Sequence, residues 1–425
     1  MAAFPLPDWL SRRAGGHQAW CRTALACEPS LEACVAALGR QLGGAGNADL
    51  ALVFVSASFA SDLPRLLPLL RQRLQADHWL GCLAGGVIGT APGQPPREVE
   101  QQPAISLTLL HLPGARLQPF AIDTDQLPDL DGPAEPWRAL LNSEAETSAP
   151  SLLLLLDPGF SGINDLIAGL DYAWPQAAKL GGIAGPHSAP HGSLLLGEQV
   201  RTGAVGCLID GAWSLDPVVA QGCRPIGPVF EVEQAQRNVV LELSRGGQRN
   251  TPVAALQAIL TELSPAEREL VKQSLFLGVG HSSFSLAQAG SGEPPPFLVR
   301  NLMGVDPRNG AVAVAERMRP GQQVQFQLRD GQASQQELTG LLERQRRRQP
   351  APLAALLFAC LGRGTGLYGH GDGDVGLCRA QFPDLPIAGA FCNGEIGPVA
   401  GSTHLHGYTA SWAFVVPRHP SGEPD

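Results

Sequence analysis

The residue types best suited to chemistry in this chain are an arginine, a glutamate, two cysteines and two histidines of its C-terminal third. Arg363 closes the apolar run Leu353 to Gly364, and Glu395 sits in the turn Asn393-Gly-Glu-Ile-Gly397. An arginine fork takes a carboxylate in two parallel hydrogen bonds, and a glutamate takes an ammonium. Placed across one cavity, the pair would hold the two ends of a small zwitterion. The same two residues could instead bond to each other as a structural salt bridge. Asn393, His404 and Tyr408 would complete a polar lining, and Ser56, Gly85 and Gly86 hold the corresponding place in an earlier stretch.

Three other chemistries compete for the same residues. His404-Leu-His406 on a strand puts both imidazoles on one face, as a metal or haem site would need. Cys360 or Cys392 with His404 and Glu395 would make a nucleophile and base for a hydrolase or transferase. The apolar flank Leu356-Leu-Phe-Ala-Cys360 favours a buried, inert thiol there. Gly364-Thr-Gly-Leu-Tyr-Gly369 fits the dinucleotide pattern G-x-G-x-x-G, which must open a helix directly onto a pyrophosphate. His370-Gly-Asp-Gly-Asp374 prolongs the loop instead and adds negative charge where phosphate would lie. No G-K-[ST] follows a glycine loop, so a P-loop is excluded.

Elements that position these residues recur. An apolar strand, a helical stretch and a Gly-rich turn appear at Leu50 to Gly89, at Ser151 to Pro186 and at Leu353 to Gly397. Val55 to Gly81 spans 26 positions, Leu156 to Gly181 spans 25 and Ala359 to Gly389 spans 30. Continuous Val, Leu and Phe runs suit strands covered on both faces. Earlier still, Ala19 to Ala26 reads as a strand and Ser30 to Leu42 as a capped helix. Ser61 is placed to cap the helix that Pro68 should kink. Ser264-Pro-Ala-Glu267 is a capping box with proline at the first helical position. Ser334 and Glu337 predict another, on a helix that Arg344 to Arg348 would close against the macrodipole. Strands are expected over 296–306 and 310–315, and Gln323 to Arg329 alternates with period two, so antiparallel strands accompany the parallel ones.

Composition excludes whole classes. The 425 residues are 44% hydrophobic, too apolar for a disordered chain, and long enough for two or three domains. A net charge of −9 without a basic stripe is a poor match to nucleic acid. No apolar run reaches the roughly 18 residues of a membrane span, and the N-terminus lacks a secretory pattern. Nine cysteines without a CxxC pair fit a reduced, cytoplasmic setting. The fold class expected is α/β, mixed α+β: two related domains of repeated β-α-β units with mixed sheets and extra antiparallel strands. The division runs 1–19 as a leading segment, 20–224 and 225–416 as domains, and 417–425 as a tail.

The stretch ALLFACLGRGTGLYG with PIAGAFCNGEIGPVAGSTHLHGYTASWAF resembles the C-terminal domain of the FIST family (F-box and intracellular signal transduction). RNLMGVDPRNGAVAVAERMRPGQQVQFQLRD is similar to the middle of that domain, and LALVFVSASF with LGCLAGGVIG to the family's N-terminal domain. The resemblance covers about residues 20 to 416. It implies a sensory module that binds a small ligand such as an amino acid, and the preferred expectation is a non-enzymatic binding protein with no cofactor. It also implies, as an alternative, a haem-dependent gas sensor using His404 or His406. Only a few residues follow Val416, and no kinase, cyclase, methyl-accepting or F-box segment is visible. Output is therefore expected through a separate signalling partner.

Overall fold

An apolar strand has no polar face to offer water, so its two sides must meet two different cores. In the computed structural model, which describes residues 18–141, 149–280 and 297–418, this is what happens. The strand Ala48–Ser56 sends Leu50, Leu52 and Phe54 to one apolar cluster and Ala51, Val53 and Val55 to another. The strand Ser151–Leu156 separates Leu153 and Leu155 from Leu152, Leu154 and Leu156 in the same way. Each buried Leu or Val contributes about 1.5–3 kcal/mol relative to an exposed one.

Three successive repeats build the larger body. The first holds β1 (Trp20–Ala26), α1 (Leu31–Gln41), β2 (Ala48–Ser56), α2 (Leu63–Arg71), β3 (Ala76–Ala84), β4 (Gly86–Thr90), β5 (Pro96–Glu100) and β6 (Ile105–His111). The second holds β7 (Ala115–Ile122), α3 (Glu135–Leu140), β8 (Ser151–Leu156), α4 (Ile163–Ala173), β9 (Ala178–Ile183), β10 (Leu194–Leu196), β11 (Gln199–Arg201) and β12 (Ala204–Gly211). The third opens with β13 (Trp213–Ala220) and is then interrupted. The inserted chain forms β14 (Cys223–Pro225), β15 (Phe230–Gln236), β16 (Val239–Arg245), β17 (Gln248–Asn250), α5 (Pro252–Glu262) and α6 (Pro265–Ser274). It goes on through β18 (Leu275–Gly280), β19 (Phe297–Asp306), β20 (Ala311–Val314) and β21 (Gln323–Arg329). The third repeat resumes with α7 (Gly331–Arg348), β22 (Ala354–Cys360), α8 (Thr365–Tyr368), α9 (Gly373–Gln381), β23 (Ile387–Cys392), β24 (Glu395–Val399), β25 (Ser402–His406) and β26 (Ala410–Pro417).

The repeats exchange hairpins. Strand orders are β1-β6-β2-β3-β10-β11, β7-β12-β8-β9-β24-β25 and β13-β26-β22-β23-β4-β5. Each sheet thus takes its last two strands from a different repeat: second to first, third to second, first to third. Parallel pairs β2–β3, β8–β9 and β22–β23 lie at the centre of each. Inner faces of all three sheets share one core, where Phe54 meets Phe358 edge to face at 6.0 Å.

Glycine makes the exchange possible. Gly81 faces Val53, Gly181 faces Leu154 and Gly389 faces Leu357 in the parallel ladders. A Cβ at any of the three would overlap the carbonyl oxygen of its partner, and Gly181 and Gly389 also have φ of +148° and +155°. These are the glycines that the sequence spacing singles out. A few residues on, the chain crosses to the next sheet, and three backbone bonds close a ring. Gly85 N–H donates to Phe391 O (3.0 Å), Asn393 N–H to Ile183 O (3.0 Å) and Gly185 N–H to Leu83 O (2.9 Å).

The insertion is a barrel. β15, β16, β20, β19, β18 and β21 pair antiparallel in a closed circuit, because β21 bonds to both β18 and β15. Val232, Val240, Leu277, Val279, Val314, Val324 and Phe326 share its core with Ala255 and Ile259 of α5. Closure removes the exposed edges that open sheets must protect.

The mixed α/β architecture agrees with the class expected. The compact units, however, cut the chain differently from a division at 224/225. One unit is 1–219 with 341–425, the other 220–340. The physical reason is the hairpin exchange, which leaves β4–β5 paired with β23 and β24–β25 paired with β9. Most of the leading segment 1–19 and of the tail 417–425 lies outside the described residues. The capping box at Ser264 and Glu267 is present, and Ser30 caps α1. Two helix starts differ. α2 begins at Leu63, after a 3-10 turn over Ala57–Asp62, and contains Pro68. α7 begins at Gly331, where Asp330 Oδ1 accepts from Gln332 and Ala333 N–H, while Glu337 accepts from Gln221 and Gly222 N–H.

Candidate functional site

The hairpin exchange sets up an internal comparison. Ser56, Asp157 and Cys360 each stand three positions past the residue that faces the ladder glycine, so Arg363 corresponds to Phe59 and Phe160, both buried apolar residues. Glu395 faces Gly182 as Leu194 faces Cys82 and Val87 faces Ala390. Val87 and Leu194 are core residues. The third repeat therefore carries an arginine and a glutamate where its siblings carry hydrocarbon, and both are fully buried.

Arg363 is held by its own repeat. Its Nε and Nη2 donate to Asp374 Oδ2 and Oδ1 at 2.7 and 2.6 Å, and Nη2 donates to the Tyr368 hydroxyl at 2.7 Å. The Tyr368 hydroxyl donates in turn to Asp374 Oδ1 at 2.7 Å. Nη1 donates to the Tyr408 carbonyl at 3.3 Å, and Tyr408 has left-handed backbone at φ 65°. The guanidinium thus pairs with Asp374, and the expected alternative of an Arg363–Glu395 salt bridge gives way to this fork.

Glu395 Oε2 accepts from Thr409 N–H at 3.1 Å, and its Oε1 is buried without a hydrogen-bond partner. Burial drives its carboxyl well above the usual range, against the lowering effect of Thr409 N–H and Arg363. A second acid stands on the other side. Glu98, on the hairpin lent by the first repeat, accepts from Val375 N–H at 2.9 Å through Oε1, while Oε2 is buried and unpartnered. Burial, then repulsion from Asp374, pushes it up to about 8. The centre is thus an Arg–Asp ion pair flanked by two acids that burial pushes towards the neutral form, in which a carboxyl can donate as well as accept.

The remaining expected residues fall in two groups. Gly85 and Asn393 are exposed members of the backbone ring, and Gly86 packs beside Val99 and Phe391. His406 lies opposite Glu395 in the β24–β25 ladder, with His404 two residues along and the rings 6.0 Å apart. Ser56 is at the first repeat's equivalent position, where its Oγ accepts from Ala104 N–H at 3.0 Å. It is not among the contacts of Arg363.

Competing chemistries find less support in the geometry. His406 Nε2 lies 3.0 Å from the Gly397 carbonyl. Among the described residues no group of three or more His, Cys, Asp or Glu side chains is placed to hold a metal ion. Burial, followed by Cys82 and Glu395, holds the Cys392 thiol well above its ordinary range, so it is no thiolate nucleophile. In the Gly364–Gly369 loop, Glu100 accepts from Thr365 N–H and Oγ1 at 2.9 and 2.8 Å, the position a phosphate would have to take. Among the described residues no helix is long and apolar enough to cross a membrane.

Sequence reading missed Asp374, Tyr368 and Glu98. Asp374 stood in a loop whose charge counted only against phosphate, and Glu98 reaches Arg363 from another repeat. The usable signal was the alignment of Arg363 with Phe59 and Phe160.

Three α/β repeats closed by exchanged hairpins, with a barrel set into the third and an ionisable centre in its core, define a two-part α/β protein. The chain belongs to the FIST family, whose domains are associated with signal transduction. The FIST N domain matches residues 49–245 and the FIST C domain residues 254–398. An uncharacterised protein of Mycobacterium tuberculosis is 34% identical over 385 residues, 90% of this chain and 94% of its own length. An uncharacterised protein of Mycobacterium bovis is 32% identical over 400 residues, covering 93% and 97%.

Proposed function

We propose that the chain is a non-catalytic sensor that binds a small polar metabolite, an amino acid or a close relative, at the third-repeat centre. One observation carries the reading: Arg363 and Glu395 replace core hydrocarbon that both sibling repeats retain. A fold that is satisfied by Phe and Leu at these places gains no stability from buried ions, whose desolvation offsets most of their attraction. Their use is recognition. Arg363 addresses the ligand's carboxylate, and Glu395 with Glu98 addresses its ammonium or hydroxyl groups. Asn393, His404, Tyr408, Gly85 and Gly86 form the surrounding wall, with Ser56 at the equivalent first-repeat position. Bound and free states differ in free energy, and a separate cytoplasmic signalling partner reads the difference.

Mass spectrometry of small molecules released from the purified chain tests this directly. An amino acid or similar metabolite is the expected find, and it should raise the melting midpoint when added back. The companion variant makes the third repeat resemble its siblings: Arg363→Phe, Asp374→Ala and Glu395→Val together. It should fold and lose the ligand response. Retained wild-type affinity in that variant would sink the proposed site.

A further inference from the structure

Arg363 can receive a ligand carboxylate only if the one it already holds departs. We infer that Asp374 is an internal stand-in for the ligand's carboxylate, and that the segment 364–375 is a strap that lifts to exchange one for the other. The inference rests on the reading of Arg363 as the ligand's anchor.

Geometry supports it at each point. Asp374 engages Arg363 as a free carboxylate would, in a two-bond fork with the Tyr368 hydroxyl as third member. Both Asp374 and Tyr368 ride on the strap, whereas Arg363 follows directly from β22 and is also bound by the Tyr408 carbonyl. Lifting the strap would therefore remove two ligands of the guanidinium together and leave it anchored. The third repeat has the room for this, since its strand-to-turn spacing of 30 exceeds the 26 and 25 of its siblings. The strap exposes Thr365, Gly366 and Gly369 to Gly371, and φ is positive at Gly364, Gly369 and Asp372, at its start, middle and near its end.

Besides the burial of Val375 at its end, the strap is fastened by polar ties that water can replace. Glu100 holds Thr365, Asp372 Oδ1 accepts from Glu98 N–H at 2.7 Å, and Glu98 holds Val375 N–H. Arg97 adds an ion pair to Asp372 at 3.0 Å, with both side chains well exposed. All these ties come from β5, a strand of the first repeat. The unpartnered Glu98 Oε2 lies beside them and is left for a group that the closed state does not supply. The ligand class follows from the exchange: a molecule with a carboxylate free to enter a two-bond fork, and small enough to fit beneath the strap.

The test uses the full chain with acetate as probe, against acetamide and chloride at equal concentration and ionic strength. In Asp374→Ala, acetate should raise the melting midpoint by ~3 °C more than either control, as expected for ligand near ten times its dissociation constant. The wild type, with its own carboxylate in place, should move far less. Equal responses to acetate and chloride in the variant would overturn the strap. Should that variant not fold, the closer isostere Asp374→Asn decides. Chymotrypsin should cut after Tyr368 several-fold faster than in wild type, and acetate should speed it further. Unchanged cleavage overturns the inference. An acetate response without any amino-acid response keeps the strap and removes the amino-acid reading. An amino-acid response in the wild type without an acetate response in the variant removes the strap alone.

Discussion

At the scale of single residues the centre is a set of unequal carboxyls around one cation. Asp374 is the ion partner of Arg363, so removing either leaves a buried charge alone. Arg363→Ala should cost about 3–5 kcal/mol in urea unfolding, whereas the combined hydrocarbon replacement should cost much less. Glu98 behaves oppositely. Its carboxyl titrates from 4.5 in the unfolded chain to about 8 in the folded one, so the folded state holds the extra proton between those values. Its contribution to stability is fully present below about pH 4.5 and is lost as pH rises towards 8. Glu98→Gln should flatten that decline, which denaturation at a series of pH values would show. A slope identical to wild type would mean that Glu98 is ionised in the folded protein. Glu395 is raised by the same burial, so an ammonium placed against it should expel its proton. Calorimetry of amino-acid binding in buffers of different ionisation enthalpy should then report proton release.

At the scale of elements, the decisive feature is a glycine in each parallel pair. It lets one strand press against its neighbour's carbonyl and then leave for another sheet. Gly389→Ala would bring a Cβ onto the Leu357 carbonyl at a positive φ, and should cost at least about 2 kcal/mol. Gly376→Ala, in α9 with open space around its Cβ, should be neutral or stabilising by up to about 1 kcal/mol. Paired chemical denaturation curves separate the two. Comparable costs at both positions would count against the close approach. The repeats were readable because strand hydrophobicity and these glycines are local properties. Asp330 shows the limit, since Ser334 and Glu337 satisfied the same capping pattern a few residues later and only the folded chain chose between them.

At the scale of the whole molecule, the third repeat is not a separable half. β23 supports the β4–β5 hairpin, and β9 supports β24–β25, so a chain ending at residue 219 keeps its first sheet but lacks β24–β25 in the second and β22, β23 and β26 in the third. Such a truncation should show no cooperative thermal transition by circular dichroism. Excising residues 222–329 and joining the ends with a short loop should leave a cooperatively folding body, because every strand of its three sheets lies outside the excised stretch. A cooperative melt of the truncation, or its absence in the excision, would contradict the exchange as the source of stability.

The sequence by itself determined the three repeats, the mixed α/β class, the family and the choice of Arg363 and Glu395 in the last repeat. All of these rest on spacing and composition, which the chain carries locally. Tertiary structure alone decided who pairs with whom. Arg363 faces Asp374 because the strap folds back on it, and Glu98 reaches the same centre because a hairpin crosses between sheets. Both are contacts between strands and turns distant in sequence, fixed by backbone ladders and by burial, and burial is what sets the protonation of the acids around Arg363.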